Sequence, residues 1–451
     1  MNGSNREADE SLGINRRLFL KSTGLWVLSH ALGVHSLARP AKKPNIILIM
    51  ADDVGREVVG CFGGSTYRTP NIDKLAKDGT RFQHVYSAPV CHPSRITLMT
   101  GRYPFRLGTP AWGSFPAHAE PQTMANELKR AGYATAVAGK WQLTLLGRDL
   151  NHPHRLGFDA YSLFGWHEGP RYWRPHIWQN GERREDVEDQ YGPDIYAEFL
   201  LDFMKSHREK PFFLYFPMAL CHDVSDDFKP VPPYGPKMDR YENYPEMVTQ
   251  MDRVVGRIVD VVDSLGIAKE TLILFTTDNG TASRTIVRHE NGKFIKEENK
   301  SLFHGEEHLG GKGQFTDWGI RVPTIARWTG TIPPGGAIED LIDFSDFLPT
   351  FNELAGLSEA SFEMDGKSFA HLLLGEKRPS REWIFSQSGK QCCLRTRRWK
   401  LCRDGKLYDT EHDASEKKPF LPGDDSQDSL KARKRLSSLM RNLMEKPSAS
   451  P

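Results

Sequence analysis

Two apolar runs that end in acidic or amide side chains constrain the fold more than any other feature of the sequence. Residues 44–53 read PNIILIMADD, and residues 270–280 read ETLILFTTDNG. Neither run alternates apolar with polar positions, which is typical of strands that are buried on both faces, as in parallel sheets. Residues 134–141 (ATAVAGKW) and 212–220 (FFLYFPMAL) are two further strand candidates of the same kind.

Helical patterns separate these runs. Residues 69–79 carry a capping threonine, an early proline and a terminal glycine, which together indicate a short helix. Residues 245–266 place Met and Val side chains at helical spacing and end in a glycine. Strands that alternate with helices predict an α/β fold, in which helices cover both faces of a large, mostly parallel sheet.

The pattern changes beyond about residue 381. Short β-like runs surround a turn signal at residues 403–405, which predicts a smaller C-terminal antiparallel subdomain. We therefore expect three parts: an N-terminal segment over residues 1–38, an α/β domain over 39–375, and the smaller subdomain with a polar tail over 376–451.

The N-terminal segment has the composition of an export signal. Arg16 and Arg17 precede a modest apolar run that ends in small residues, an order that resembles a twin-arginine signal. Ser29 and His30 interrupt the run, so it is too short for a transmembrane helix. The order predicts export by the twin-arginine machinery to the periplasm or the outside. The alternative is a disordered tail with a chance arginine pair.

Charge and cysteine content argue against two classes of protein. The chain has 60 Lys plus Arg against 58 Asp plus Glu, so its overall charge gives no reason to expect nucleic-acid binding. Six cysteines in 451 residues are too few for a disulfide framework. One bridge among Cys392, Cys393 and Cys402 is compatible with their spacing, but the sequence does not fix the partner.

Polar side chains end the strand candidates. They are Asp52, Asp53, Lys140, His222, Asp278 and Asn279. In a parallel sheet such strand ends gather at one edge, where ligands bind. Three carboxylates and an amide in one place favour a hard divalent cation, Ca²⁺ or Mg²⁺. The alternative is that each acid only caps the helix that follows it.

Cys91 precedes a segment that reads as the first turns of a helix. A thiol at a helix N-terminus faces unpaired N–H groups, which favour its ionised form. Arg95 lies one helical turn further on and can point to the same place. A reactive thiolate and an inert buried cysteine are both compatible with this pattern.

The residues around Cys91 match a known motif. Cys91-His92-Pro93-Ser94-Arg95, followed by Thr100, Gly101 and Arg102, resembles the signature C-x-P-S-R…T-G-R of the sulfatase family. Further blocks follow in the family's order, at residues 44–55, 61–88, 138–141, 276–280, 310–313, 320–330 and 394–410. The resemblance extends from residue 44 to about residue 420.

This resemblance implies a cofactor chemistry. In the family the signature cysteine is oxidised to formylglycine by a formylglycine-generating enzyme, which implies that modification at Cys91. Asp52, Asp53, Asp278 and Asn279 match the family's metal ligands, which hold Ca²⁺ in most members, with Mg²⁺ the lesser alternative. The implied reaction is hydrolysis of a sulfate monoester on a small molecule or a glycan.

The resemblance also assigns roles to single residues. Arg95 would steady the attacking hydroxyl, Lys140 and Lys312 would bind the sulfate, and His222 would donate a proton to the leaving oxygen. Without the resemblance, the two lysines read as solvent-exposed charges and His222 as a core histidine. One position departs from the family's G-K-W-H-L-G block, because Gln142 replaces its histidine. Glutamine can donate a hydrogen bond but does not take up a proton near neutral pH.

Two segments near these blocks are candidates for substrate contacts. His304 and His308 lie shortly before Lys312, where they could line the pocket or belong to a solvated loop. Residues 165–178 are rich in aromatic side chains, which could form a stacking wall or simply core. Two other functions stay open beside the sulfatase: a phosphodiester or phosphonate hydrolase of the same superfamily, and a non-catalytic pseudo-sulfatase.

Overall fold

The computed structural model describes residues 42–165, 167–223, 243–357 and 360–445. The predicted export signal therefore lies outside the described residues.

In chain order the strands are β1 (Asn45–Ala51), β2 (Thr80–Tyr86), β3 (Ala134–Lys140), β4 (Ala160–Phe164), β5 (Trp178–Gln179), β6 (Glu182–Arg183), β7 (Phe212–Pro217), β8 (Thr271–Thr277), β9 (Arg284–Glu290), β10 (Lys293–Glu298), β11 (Lys300–Phe303), β12 (Glu306–Leu309), β13 (Arg321–Arg327), β14 (Gly336–Asp343), β15 (Ile384–Ser388), β16 (Gln391–Arg395), β17 (Trp399–Cys402) and β18 (Leu407–Asp409). The α-helices are α1 (Pro70–Lys77), α2 (Cys91–Thr100), α3 (Met124–Arg130), α4 (His152–Arg155), α5 (Gly192–Ser206), α6 (Tyr244–Ser264), α7 (Asp317–Ile320), α8 (Phe347–Leu354), α9 (Ala370–Leu373) and α10 (Gln427–Glu445).

A ten-stranded sheet forms the main body, in the order β14-β2-β13-β8-β1-β7-β3-β4-β5-β6. The five strands from β8 to β4 are parallel neighbours, whereas β13, β5 and β6 pair antiparallel. The prediction of a large, mostly parallel sheet is confirmed. The antiparallel strands β5 and β6 occupy one border of the sheet.

The central strand β1 shows why this sheet needs helices on both faces. Ile47, Ile49 and Ala51 enter one hydrophobic core, and the alternate residues Ile46, Leu48 and Met50 enter a second core on the opposite face. Helices α1, α5 and α6 supply the first core, while α2, α3 and α8 supply the second. Because both faces are covered, a strand at this position has to be apolar throughout.

The predicted helices begin and end close to their sequence signals. Helix α6 starts with a capping box, in which the Asn243 side chain accepts from the Glu246 backbone N–H and Glu246 reaches back. Helix α1 starts at Pro70, but the Thr69 hydroxyl does not cap it as predicted, because it accepts from the Gly60 N–H instead. Side-chain capping therefore marks the start of α6, and a first-turn proline marks the start of α1.

The C-terminal part contains a separate four-stranded antiparallel sheet, in the order β15-β16-β17-β18. Phe385, Leu394 and Leu401 from this sheet share a core with Leu436 from α10. The predicted antiparallel subdomain is confirmed. Cys392, Cys393 and Cys402 all carry thiols, so the bridge considered from their spacing is not formed in this structure.

None of the helices within the described ranges has the length and hydrophobicity that a bilayer span requires.

Candidate active site

The site lies at the carboxyl ends of four neighbouring strands, β8, β1, β7 and β3. Asp52 and Asp53 follow β1, Asp278 and Asn279 follow β8, and Lys140 is the last residue of β3. Five residues beyond β7, His222 is held nearby because the loop before it exchanges backbone hydrogen bonds with Asp52. The structure therefore brings together the polar strand ends that the sequence pattern singled out.

The acidic side chains are fully buried and lie against one another. Asp52, Asp53 and Asp278 have no exposed surface, and Asn279 donates from Nδ2 to Asp53 Oδ1 at 2.8 Å. Asp53 also has a backbone φ of +57°, a conformation that non-glycine residues rarely adopt and that is frequent at functional sites. This cluster concentrates negative charge where water cannot screen it.

The cluster has the donor set of a hard divalent cation. Burial and the neighbouring carboxylates raise the pKa of Asp53, because both effects oppose another negative charge. Asn279 Oδ1 is a buried acceptor without a hydrogen-bond partner among the described residues. A divalent cation would use that oxygen and favour the ionised carboxylates, so the residues present fit Ca²⁺ or Mg²⁺.

Three cationic side chains surround the carboxylates. Arg95 Nη2 lies 3.0 Å from Asp52 Oδ2 and 2.7 Å from Asp278 Oδ2. Lys140 pairs with Asp52, and Lys312 Nζ lies 2.6 Å from Asp53 Oδ2. Burial alone would raise the pKa of Asp52, but the positive charges of Lys140 and Arg95 hold it below its usual range. The positive charges of these three side chains balance the acidic cluster.

Cys91 is the first residue of α2 and points into this charged centre. Its Sγ lies 3.5 Å from Asp52 Oδ1, 3.9 Å from Asp53 Oδ1 and 3.6 Å from Lys140 Nζ. Burial raises the pKa of the Cys91 thiol, and the charges of Asp278 and Asp52 raise it further. Burial and the two carboxylates oppose the ionisation that the helix N-terminus favours, and so favour the protonated thiol of the two states that the sequence left open.

His222 stands beside the same carboxylates. Its Nε2 lies 3.8 Å from Asp53 Oδ2, and its Nδ1 lies 3.6 Å from Asp223 Oδ1. Burial lowers the pKa of His222 well below its usual value, and the charges of Lys312 and Lys140 lower it further. The imidazole is therefore neutral in the structure, and negative charge placed near the two lysines would raise its proton affinity.

A pocket of ≈ 440 Å³ opens above Cys91. Its lining residues are Val90, Cys91, His92, Trp112, Gln142, His167, His222 and Lys312. Gln142, which replaces the histidine of the family block, thus contacts the same space as Cys91, and its side chain is buried.

The two histidines of the 304–309 region lie outside this lining. The imidazole of His304 lies close to Gly63, and that of His308 stacks on Trp318 with ring centroids 3.9 Å apart. Their contact with substrate stays a prediction.

Most of the aromatic segment 165–178 is structural. Tyr172 stacks on Tyr191, Trp173 also contacts Tyr191, and His176 contacts Trp178. Only His167 from this segment lines the pocket, while Trp166 lies outside the described residues.

Sequence reasoning missed Trp112 as a pocket residue. Trp112 lies in a loop rich in glycine, proline and serine, where a large aromatic residue is unusual. That composition is a weak signal, because the position of the loop depends on a distant contact. His92 Nε2 lies 2.9 Å from the Ser114 carbonyl oxygen and connects the loop to α2.

The comparison with known families decides what this centre belongs to. The family model described as Sulfatase matches residues 44–357, which is more than half of the chain. The chain belongs to the sulfatase family. It is a sulfuric ester hydrolase, as are the characterised sulfatases that it matches along most of its length.

Three relatives illustrate the similarity of this sulfatase to curated proteins. Steryl-sulfatase of Mus musculus is 30% identical over 439 residues, covering 77% of this chain and 68% of the relative. N-acetylgalactosamine-6-sulfatase of Canis lupus familiaris is 32% identical over 387 residues, covering 78% and 69%. Arylsulfatase A of Homo sapiens is 29% identical over 394 residues, covering 80% and 72%.

Solved structures extend the match to the fold. The crystal structure of Ps i-CgsB aligns with a TM-score of 0.70 and 27% identity, covering 90% of this sulfatase and 94% of that chain. A phosphonate monoester hydrolase of Agrobacterium radiobacter aligns with a TM-score of 0.61 at 19% identity, which shows the shared fold alone.

Proposed function

We propose that this sulfatase hydrolyses a sulfate monoester on a carbohydrate through a formylglycine made from Cys91, assisted by a divalent metal ion. One observation carries the proposal. Cys91 Sγ lies at the inner end of a pocket, within 4 Å of two metal-type carboxylates and of the Lys140 ammonium group. A nucleophile at this position would face both the metal and the cations that bind an anionic ester.

Formylglycine would supply, as its hydrate, one hydroxyl that attacks sulfur as the bond from sulfur to the alcohol oxygen breaks. Its second hydroxyl would give its proton to water as the carbon–oxygen bond to sulfate breaks and the aldehyde returns. A serine at the same position would stay sulfated, because it has no second hydroxyl. Asp52, Asp53, Asp278 and Asn279 would hold the metal ion, preferably Ca²⁺, which neutralises sulfate oxygens and lowers the pKa of a hydroxyl bound to it.

The chain's own cations would bind and orient the ester. Lys312 lines the pocket, and Lys140 Nζ lies 3.6 Å from Cys91 Sγ, so that both ammonium groups could hold sulfate oxygens at Cys91 and the charge that develops on them. Arg95 is fixed by Asp52 and Asp278 and donates from Nη1 to the Lys140 carbonyl at 3.2 Å. Arg95 would therefore steady the nucleophile and keep Lys140 in place.

His222 is the proposed donor to the leaving oxygen. It lines the pocket beside Lys312 and is neutral before an ester enters. The negative charge of a bound sulfate would offset the two lysines and raise the pKa of His222, so that the imidazole could take up the proton that the attacking hydroxyl loses and pass it to the leaving oxygen.

Relatives and solved structures support a carbohydrate substrate. One structure that is 27% identical to this chain contains Ps i-CgsB with k-i-k-neocarrahexaose, and several curated relatives are named N-acetylgalactosamine-6-sulfatase. The pocket volume of ≈ 440 Å³ is within the range of small-molecule sites.

We also propose how the enzyme matures. The signature around Cys91 would be recognised by a formylglycine-generating enzyme, and residues 1–38 would direct export to the periplasm or the outside through the twin-arginine machinery. Residues 39–375 would form the catalytic domain and residues 376–451 the smaller subdomain, with its polar tail.

A mass spectrum of the peptide that contains Cys91 tests the proposal first. The protein is made in its own host or together with a formylglycine-generating enzyme. An aldehyde at Cys91 and release of sulfate from sulfate esters are expected, with Cys91→Ala inactive. An intact thiol in native material, or turnover of phosphodiesters or phosphonates in place of sulfate esters, would overturn it. Metal binding by a chain that keeps its thiol and turns over no ester would indicate a pseudo-sulfatase.

A further inference from the structure

The outer part of the Cys91 pocket has an aromatic wall that the proposed chemistry does not use. Trp112 is 47% exposed and His167 is also exposed, whereas Cys91 is only 3% exposed. The two rings lie 5.6 Å apart between centroids, with their planes at 50°. The exposed pair therefore forms the rim of the pocket, and Cys91 lies at its floor.

Both loops that carry the rim are anchored. Beside Cys91, the imidazole of His92 is neutral, because burial lowers its pKa to about 4, and its Nε2–H can donate to the Ser114 carbonyl at 2.9 Å. This contact holds the Trp112 loop against α2. The loop that carries His167 is anchored by the next residue, Glu168, which accepts from the Gly147 N–H at 2.5 Å and from Trp178 Nε1 at 3.2 Å.

The buried part of the pocket contains an acceptor that the protein leaves unused. Gln142 is 2% exposed and lines the pocket, and its Oε1 has no hydrogen-bond partner among the described residues. A buried carbonyl without a partner is unfavourable, so the site favours a ligand that donates a hydrogen bond there. This is an observation independent of the aromatic rim.

We infer that Trp112 and His167 form a platform for a pyranose ring, and that Gln142 Oε1 accepts a hydrogen bond from a hydroxyl of that ring. This inference rests on the proposed function and defines the substrate class as a sulfated sugar with a free hydroxyl near the ester. The C–H face of a pyranose packs on an aromatic ring, while its hydroxyls point outward. An unsubstituted aryl or steroid ring offers the apolar face but no donor for Gln142.

Two readouts separate this inference from the proposed function. The first readout is the binding of sulfated galactose, glucosamine and N-acetylgalactosamine to protein that keeps the Cys91 thiol, measured by saturation-transfer NMR. The second is turnover of the same sugars and of 4-nitrophenyl sulfate by the modified enzyme, where the aryl ester reports that the chemistry is intact. Leu421→Ala is the matched control, because Leu421 is also 47% exposed and is absent from the pocket lining.

For Trp112→Ala we expect KM for the best sugar sulfate to rise about tenfold with little change in kcat, since stacking acts on binding. Trp112→Phe should recover most of that loss, and saturation transfer to the ring C–H protons should weaken in the alanine variant. For Gln142→Leu we expect the ratio of kcat/KM for sugar over aryl sulfate to fall about tenfold.

Several results would overturn the inference while leaving the sulfatase reaction intact. They are sugar turnover that Trp112→Ala and His167→Ala leave unchanged, or a Gln142→Leu ratio equal to that of the wild type. Turnover of aryl sulfates alone would overturn the inference together with the carbohydrate part of the proposed function. If modified enzyme releases sulfate from no ester, the proposed function fails, and the NMR experiment on the thiol form still decides whether the pocket binds the ring.

Discussion

Replacing Arg95 with methionine removes one of the three cations that balance the acidic cluster. The Arg95 side chain is 2% exposed and lies within 3.0 Å of both Asp52 and Asp278. Methionine has a similar length but no charge, so the two carboxylates would face each other in a buried site. Lys140 and Lys312 alone would then oppose three carboxylates.

The expected cost follows from that burial. Removing one partner of a buried ion pair destabilises a protein by about 3–5 kcal/mol, because the other charge is left uncompensated. Unfolding entropy is about 2.1 cal/mol/K per residue, or about 0.9 kcal/mol/K for a chain of 451 residues. The Tm of Arg95→Met should therefore lie about 3–6 °C below that of the wild type.

Arg381→Met is a matched control for this experiment. The Arg381 side chain is 4% exposed, pairs with Asp346 and lies 3.8 Å from Asp343, outside the Cys91 pocket. Both variants should lose similar stability in scanning calorimetry without metal. Only Arg95→Met should also lose sulfate release from the folded enzyme.

Added Ca²⁺ distinguishes the two variants further. Saturation at about 100 times the dissociation constant stabilises a protein by about 2.7 kcal/mol. The Arg95 variant leaves the proposed metal ligands Asp52 and Asp278 without one compensating charge, so Ca²⁺ should raise its Tm more than that of Arg381→Met. A Tm within 1 °C of the wild type without metal, or equal Ca²⁺ shifts in both variants, would refute the charge-balance argument.

Three further predictions follow from single contacts. Asn279→Ala removes the unpartnered Oδ1 and should weaken Ca²⁺ binding measured by isothermal titration calorimetry; unchanged affinity would exclude that oxygen as a ligand. Lys312→Met should lower kcat/KM for sulfate esters by about 10²–10³-fold, because losing a group that stabilises developing charge costs about that much. A decrease of less than threefold would contradict this role of Lys312. Burial lowers the pKa of His152 to about 4, against about 6.5 in the unfolded chain. The neutral His152 therefore contributes fully to stability above pH 6.5, and this contribution is lost as pH falls toward 4. At pH 5 the free energy of unfolding should be lower by about 2 kcal/mol than at high pH. His152→Gln should therefore lose about 2 °C less in Tm between pH 8 and pH 5, and equal losses would refute this.

Local sequence signals were sufficient for the elements around the site. The unbroken apolar runs at β1 and β8 predicted buried parallel strands, because both faces of the sheet are covered by helices. The polar residues at their ends were expected to meet, since parallel strands finish at one edge. The C-terminal antiparallel sheet followed from its short β-like runs and its turn signal.

The electrostatic state of the site did not follow from the same signals. The start of α2 left open whether the Cys91 thiol is ionised, and the structure places Asp52 and Asp53 within 4 Å of the sulfur. Burial and charges from distant parts of the chain determine that pKa, and they are invisible in a local window of sequence.

The sequence by itself determined the class of sheet, the polar strand ends and the family motif at Cys91, because these depend on side-chain periodicity and on residues close in the chain. Only the tertiary structure decided which loops form the pocket. It brought Trp112 and His167 together through the contacts of His92 and Glu168 with remote backbone groups, and it placed His308 against Trp318. Loop positions depend on such long-range contacts, whereas strands and helices follow from local pattern and burial.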